Sequence, residues 1–256
     1  MARTLRKPEI ISMARRDGRV TVEGLVGHFG VTPQTIRRDL SELADDGHLD
    51  RIHGGAVLPS STTNIGYSDR RELNLGAKFD IAKLCAQNIP NDCSLFLNIG
   101  TTTEAVANEL LNHEGLLVVT NNINVALILS ENPKVEVVVT GGSLRRSDGG
   151  LIGYLAEQTI EQFRFDYGII GCSALTHTGD ILDFDIQEVR VSKTIIKHCK
   201  EVFLVADTSK FERDAPVLIG SLADIDVFFS DQPVNPKCKR VCDQSSTLIR
   251  YPDQSI

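Results

Sequence analysis

Two short stretches of this 256-residue chain carry side chains whose types and spacing could do chemistry. In the first, Gln34, Arg37, Arg38 and Ser41 fall together on a helical wheel of about 100° per residue, opposite a stripe of Ile36, Leu40 and Leu43. That face offers two guanidiniums, an amide and a hydroxyl with no carboxylate. Arg suits guanine edges, Gln suits adenine, and either Arg could instead hold a backbone phosphate. In the second stretch, Gly100-Thr101-Thr102-Thr103 follows the apolar run Leu95–Ile99. A strand entering a small, hydroxyl-rich turn before a helix leaves free N–H groups at the positive end of a dipole, which is a setting for a phosphate.

Each set has an ordinary reading: a solvated helix face, and a helix capped by one of its threonines. Context bears on the first. Thr32 and Pro33 suit the N-cap and first position of a helix that Gly47 should stop. Upstream, a helix is expected over Pro8–Asp17, with Ile10, Ile11 and Ala14 inward and Gly18 closing it. A second runs from a Thr21 cap to Gly30 and carries Leu25, Val26 and Phe29. Two helices, a tight turn and a third capped helix make a helix-turn-helix. Leu49–Val57 then reads as two extended pieces around Gly54-Gly55, a wing that places Arg51 and His53 against a DNA backbone or minor groove. Gly24 and Gly27 are costly inside a helix, and imply either a close backbone approach or a helix held by its neighbours.

The runs Thr35-Ile36-Arg37-Arg38-Asp39-Leu40 and His53-Gly54-Gly55-Ala56 resemble those of the DeoR family of bacterial transcriptional repressors. The similarity extends through Leu58-Pro59-Ser60-Ser61, Gly100-Thr101-Thr102, Val119-Thr120-Asn121-Asn122, Arg146-Ser147-Asp148-Gly149-Gly150, Gln162-Phe163-Arg164-Phe165-Asp166 and Ala206-Asp207-Thr208-Ser209-Lys210-Phe211. It implies DNA contacts from Thr32, Gln34, Thr35, Arg37, Arg38, Ser41, Arg51 and His53. It also implies a C-terminal domain like sugar-phosphate isomerases, with a phosphorylated sugar or polyol as inducer, glycerol-3-phosphate being favoured. Phosphate binding falls on Gly100, Thr101, Thr102 and Thr103, and further effector contacts on Asn98, Glu188, Lys193 and Lys210. Asn98 stands where many relatives have Asp, which removes a possible general base. A homo-oligomer, dimer or tetramer, completes the implied picture.

Composition fits a soluble two-domain protein, with 41% hydrophobic residues. No apolar run reaches the roughly 18 residues of a membrane helix, and the N-terminus lacks a signal-peptide core, so a cytoplasmic protein is expected. The net charge of -7 argues at first against nucleic acid. It is unevenly spread, however, and residues 1–40 hold eight basic and four acidic side chains. Steep salt dependence of DNA binding follows. Cys85, Cys93, Cys172, Cys199, Cys238 and Cys242 show neither CxxC nor zinc spacing, so thiols are expected, not a metal site or disulfide. Neither a Walker A sequence nor GxGxxG is present, and no cofactor is expected.

The domains expected are a winged helix-turn-helix over 3–58, a polar linker over 59–76, and an effector domain over 77–256. In the last, a first helix should bury Phe79, Ile81, Ala82, Leu84 and Cys85. β-rich runs at 95–99, 116–119, 135–139, 167–170, 202–206 and 227–229 alternate with helical segments such as 103–111 and 189–198. That pattern indicates a doubly wound, mainly parallel α/β sheet with ligands at its strand carboxyl ends. The expected function is an inducible repressor with no catalytic residue. An isomerase with an appended DNA-binding domain is the alternative, and would draw its base from Asp183, Asp185 or Glu188. An activator, or a DNA-bound architectural protein without an effector, is the third.

Overall fold

The computed structural model describes residues 3–60 and 62–252. Ser61 of the expected linker, and residues 253–256 of the expected effector domain, lie outside the described residues. The chain divides into two compact units, Met1–Leu73 and Asn74–Ile256.

The first unit contains α1 (Arg3–Asp17), β1 (Arg19–Thr21), α2 (Val22–Phe29), α3 (Pro33–Asp45), β2 (Asp50–Ile52), β3 (Gly55–Val57) and α4 (Tyr67–Glu72). Ile10, Ala14, Leu25, Ile36, Leu40, Leu43 and Leu49 form its core. The caps follow the residue types. Thr21 accepts from the Gly24 N–H, Gly30 is left-handed at φ 63, and Thr32 accepts from the Thr35 N–H. β3 lies between β1 and β2 in an antiparallel sheet. A side chain at Gly55 would place its Cβ 2.0 Å from the Val20 carbonyl oxygen, so only glycine fits there.

Three expectations change here. α1 begins at Arg3 rather than Pro8, with Pro8 inside it. Proline forfeits one backbone bond, yet Arg6 pairs with Asp39, and Lys7 with Glu42 (3.1 Å) and Asp46 (3.5 Å), which ties the extra turn to α3. Gly24 is close to its own capping hydroxyl, Thr21 Oγ1, and not to another backbone; nothing in the structure explains Gly27. Within 59–76, Tyr67–Glu72 is helical and Leu75 opens the next helix.

The second unit runs α5 (Leu75–Gln87), β4 (Ser94–Leu97), α6 (Thr101–Glu109), β5 (Leu116–Thr120), α7 (Ile123–Leu129), β6 (Val135–Val139), β7 (Ser143–Arg145), β8 (Gly150–Ile152) and α8 (Tyr154–Glu161). It continues with β9 (Phe165–Ile170), β10 (Ala174–Leu175), β11 (Asp180–Asp183), α9 (Ile186–His198), β12 (Cys199–Val205), β13 (Val217–Ser221), β14 (Val227–Phe229), α10 (Pro236–Ser245) and β15 (Leu248–Arg250). Seven strands form a parallel sheet in the order β15-β14-β12-β9-β4-β5-β6. Its central strands are covered on both faces, and β4 and β5 are accordingly apolar and buried almost throughout. Leu95, Leu97, Val118, Ile169 and Phe203 pack into one core, and Phe96, Val119, Ile170 and Leu204 into the other.

From β4 the chain winds outward through β5 and β6, then returns to β9 and winds the other way. The order reverses between β4 and β9, which is where open α/β sheets place ligands, beyond the strand carboxyl ends. A β7–β8 hairpin and a small antiparallel sheet, β10-β11-β13, accompany the main sheet.

Phe79 differs from its expected place, being 54% exposed. The buried residues of α5 are Lys78, Ile81, Ala82, Cys85 and Ala86, and Phe79 is turned about 100° from Lys78. All six cysteines are free thiols. Among the described residues no cluster of His, Cys, Asp and Glu could hold a metal ion, and no helix is long and apolar enough to cross a membrane.

Candidate DNA-reading face and effector site

α3 presents Gln34, Arg37, Arg38 and Ser41 to solvent, while Ile36, Asp39, Leu40 and Leu43 face inward. The eight residues expected at DNA are close in the fold but differ in what they are free to do. Thr32 and Thr35 are engaged with each other: the Thr35 N–H donates to Thr32 Oγ1 at 3.3 Å, and the two hydroxyls lie 2.9 Å apart. They fix the start of the helix. Arg38 Nε donates to Glu42 at 3.0 Å.

Arg51 reaches from β2 to α3, where Nη1 donates to the Arg37 carbonyl (3.0 Å) and to Ser41 Oγ (3.3 Å). Burial and the neighbouring Arg37 charge lower its pKa from the usual value. Arg51 thus braces α3 against the wing. His53, at the exposed turn, has its Nδ1 2.7 Å from Glu72 of α4. The side chains of Gln34 and Arg37 have no partner among the described residues, and they stand i, i+3 on the open face. Arg6 and the burial of Asp39 were missed by sequence reasoning, although Asp39 follows Ile36 by three on the buried stripe.

In the second unit, β4 ends in Asn98-Ile99-Gly100 and α6 starts at Thr101. Gly100 has φ 149, and no side chain caps α6. The Gly100 carbonyl accepts from the Glu104 N–H (3.0 Å) and from Thr103 Oγ1 (2.7 Å). No acceptor among the described residues takes the N–H groups of Gly100, Thr101, Thr102 or Thr103. Of the three hydroxyls, that of Thr103 is spent inward on the Asn98 and Gly100 carbonyls. Those of Thr101 and Thr102 have no partner among the described residues.

Asn98 is buried and its amide is engaged. Its Nδ2 donates to Ser192 Oγ on α9 (2.9 Å) and its Oδ1 accepts from the Ile99 N–H (2.8 Å). It shapes the loop from behind.

A polar network that sequence reasoning missed joins the loop to its surroundings. Glu104, in the first turn of α6, accepts from Asn122 Nδ2 (3.1 Å) and Asn124 Nδ2 (3.0 Å). Asn124 Nδ2 also donates to the Asp148 carbonyl at 3.0 Å. Asp148 accepts from Arg145 Nε (2.8 Å) and Nη2 (2.7 Å). Arg145 also meets Asp185 (3.0 Å) and Glu188 (2.7 Å) at the start of α9. Burial alone would lower the Arg145 pKa, but Glu188 and Asp148 outweigh it and the net shift is upward.

The β7–β8 hairpin is drawn onto the strand ends by the Leu151 N–H bond to the Asn121 carbonyl (2.7 Å) and the Ile123 N–H bond to the Gly149 carbonyl (3.1 Å). Gly150 abuts Ile99 so closely that a Cβ would come within 2.5 Å of its Cδ1. The spacings Arg145…Asp148 and Asp185…Glu188, each i, i+3, were the signal available in the sequence.

Of the other expected effector residues, Glu188 belongs to this network. Lys193 is exposed on α9 beside buried Ser192, with no side-chain partner among the described residues. Lys210 lies on the 3-10 turn after β12, where its charge acts on Asp207 and on Cys172, beyond the end of β9. Lys78, buried on α5, also acts on Asp207.

Comparison with known proteins matches residues 6–62 to the DeoR-like helix-turn-helix domain and residues 73–232 to the DeoR C terminal sensor domain. The chain is 46% identical over 233 residues to the glycerol-3-phosphate regulon repressor of Escherichia coli (strain K12), covering 91% of this chain and 92% of that one. It is 47% identical over 230 residues to the Haemophilus influenzae protein of the same name, covering 90% of each. Among solved structures, ribose 5-phosphate isomerase A from Methanocaldococcus jannaschii overlaps 54% of each chain at 13% identity, with a TM-score of 0.40. A helix-turn-helix unit followed by a sensor unit, each matched over most of its length, makes this chain a member of the DeoR family of DNA-binding transcriptional repressors.

Proposed function

We propose that this repressor holds an operator through α3 and its wing, and is released when glycerol-3-phosphate occupies the sensor unit. The observation that carries the effector half is the run of N–H groups at Gly100–Thr103, unengaged among the described residues, at the sheet's switch point and the N-terminus of α6. Such a cradle suits the phosphate of a small phosphorylated molecule. The choice of glycerol-3-phosphate is supported by the names of the relatives that share almost half of this chain's residues.

In this reading Gln34 and Arg37 contact base edges, and Arg38, Ser41 and His53 contact the backbone or groove walls. Thr32, Thr35 and Arg51 keep α3 in place. In the sensor unit Gly100, Thr101, Thr102 and Thr103 bind the phosphate, and Lys210 adds a cation. Asn98 acts through the loop, and Glu188 through Arg145. Lys193 contributes charge at the periphery.

The effector lowers operator affinity because it binds more tightly to the arrangement that does not fit DNA, a coupling of about 1–3 kcal/mol in typical cases. Palindromic operators call for a two-fold assembly, so the working form is a homodimer or a dimer-based tetramer in the cytoplasm. The test is fluorescence anisotropy on DNA upstream of the chain's own and neighbouring genes. It is run at fixed salt with glycerol-3-phosphate, glycerol or other sugar phosphates. Release by glycerol-3-phosphate but not by glycerol is expected. Release by a different phosphate alone would replace the inducer, and specific binding that no phosphate alters would overturn the effector half.

A further inference from the structure

Glu72 and Asn74 stand two residues apart at the boundary of the two units, and each is tied to a functional element of its own unit. Glu72, the last residue of α4, lies 2.7 Å from Nδ1 of His53 on the wing. Asn74, the first residue of the sensor unit, donates from Nδ2 to Asp207 Oδ1 and to Ser209 Oγ, both at 3.1 Å. Asp207 caps the turn that carries Lys210.

Asn74 is unusual in two respects. It occupies the N-cap position of α5 without making a capping bond, and it is left-handed, at φ 53 and ψ 41. Asparagine at an N-cap ordinarily spends its side chain on the helix, and left-handed backbone is disfavoured for any residue with a Cβ, though least for Asn and Asp. Here the amide is directed to Asp207 instead. That carboxyl is only 2% exposed. Burial would raise its pKa, but Lys210, the bonds from Ser209 and Asn74, and Lys78 hold it below the usual carboxylate range. Lys210 acts on Cys172 as well, beyond the end of β9, the strand beside β4 and its phosphate loop.

We propose that Glu72-Leu73-Asn74 is the segment through which effector occupancy controls DNA release, with Asn74 positioning it against Asp207. This rests on the effector reading above. An anion in the Gly100–Thr103 loop attracts Lys210 and weakens its hold on Asp207. The Asp207–Asn74 bond and the left-handed turn it maintains then readjust, and Glu72, two residues upstream in the chain, shifts against His53. By linkage, operator binding resets the same segment and disfavours the effector.

The test uses the full chain as wild type, Asn74→Gly, Asn74→Asp and Glu72→Gln. Glycine keeps the left-handed backbone and deletes the amide; aspartate keeps the shape and sets a carboxylate against Asp207. Operator affinity is read by anisotropy with and without saturating glycerol-3-phosphate, and effector affinity by calorimetry. The wild type should lose about tenfold or more of its operator affinity, a usual size for allosteric coupling. In both Asn74 variants and in Glu72→Gln that loss should shrink to below about threefold, while glycerol-3-phosphate affinity stays within about threefold of wild type. Unchanged release in the two Asn74 variants would overturn the proposal. So would release that falls only in step with lost effector affinity, since Asn74 would then merely support the pocket. A wild type that no phosphate releases would instead overturn the functional reading, and that outcome is seen without any variant.

Discussion

Arg6 on α1 and Asp39 on α3, 33 residues apart, form a bidentate pair that is almost wholly buried. Their side chains are 7% and 2% exposed. The pair fixes the recognition helix against the first helix, on the side opposite Gln34 and Arg37. Its other members of the same contact, Lys7 with Glu42 and Asp46, are more exposed and weaker supports.

Removing one member of such a pair strands the other charge, whereas replacing both with apolar groups does not. Asp39→Ala should destabilise the DNA-binding unit by about 3–5 kcal/mol and abolish operator binding at 37 °C, with the sensor unit's unfolding unaltered. Arg6→Met with Asp39→Leu should recover much of that loss. Calorimetric unfolding of the full chain resolves the two units, and equal stability of the single and double variants would refute the assignment.

On the reading face, the structure separates two adjacent arginines. Arg37 has no side-chain partner among the described residues, while Arg38 is paired with Glu42. Arg37→Ala should weaken specific operator binding by about 1–3 kcal/mol if Arg37 reads a base. Arg38→Ala should lose less and reduce the salt slope by about one unit, as a phosphate contact does. Arg51→Ala should weaken binding to every sequence by releasing Arg37 and Ser41. Glycerol-3-phosphate binding should persist in all three. Anisotropy titrations at several salt concentrations on operator and scrambled DNA distinguish these outcomes.

How far the sequence revealed this arrangement depended on whether the signal was local. Thr32, Pro33 and the 36–40–43 stripe define α3 without reference to anything distant, and Gly100-Thr101-Thr102 announces its turn by composition. Pro8 misled, because the pairs that hold α1 open to Arg3 come from residues more than 30 positions away. Phe79 misled by its hydrophobicity, since Lys78 fills the inward place next to it for the sake of Asp207. β7, β8, β10, β11, β13 and β15 span two to five residues each, too short for a periodic pattern. With them went the Arg145 network, whose partners come from three separate segments.

At the loop proposed to hold the phosphate, Gly100→Ala tests the cradle directly. Its φ of 149 lies where a side chain is strained, and the added Cβ would meet Thr103 Oγ1 at 3.3 Å. The loop should rotate away from the geometry that aims its N–H groups at one anion. Calorimetry should show glycerol-3-phosphate affinity reduced about tenfold or more, the scale of one lost charge-assisted hydrogen bond. Anisotropy should show operator binding retained but no longer relieved by the effector. Wild-type effector affinity in this variant would place the phosphate elsewhere.

A last prediction concerns acid. Asp166 joins the amino ends of three neighbouring strands: it accepts from the Ser94 N–H (2.9 Å) and Oγ (2.8 Å) on β4 and from Lys200 Nζ (2.7 Å) on β12. Lys200 first, then the two Ser94 bonds, lower its pKa to about 2 against a small opposing effect of burial. A carboxyl depressed in the folded state stabilises above its unfolded pKa of about 4, and that contribution is lost as pH falls towards the folded value. The wild type should therefore exceed Asp166→Asn in stability at pH 7, keep that margin down to about pH 4 and lose it between about pH 4 and 2. The margin should be within about 1 kcal/mol, because Lys200 is largely exposed. Urea unfolding of both proteins at stepped pH measures it, and a margin that does not narrow below pH 4 would show that Asp166 stabilises by packing and not by charge.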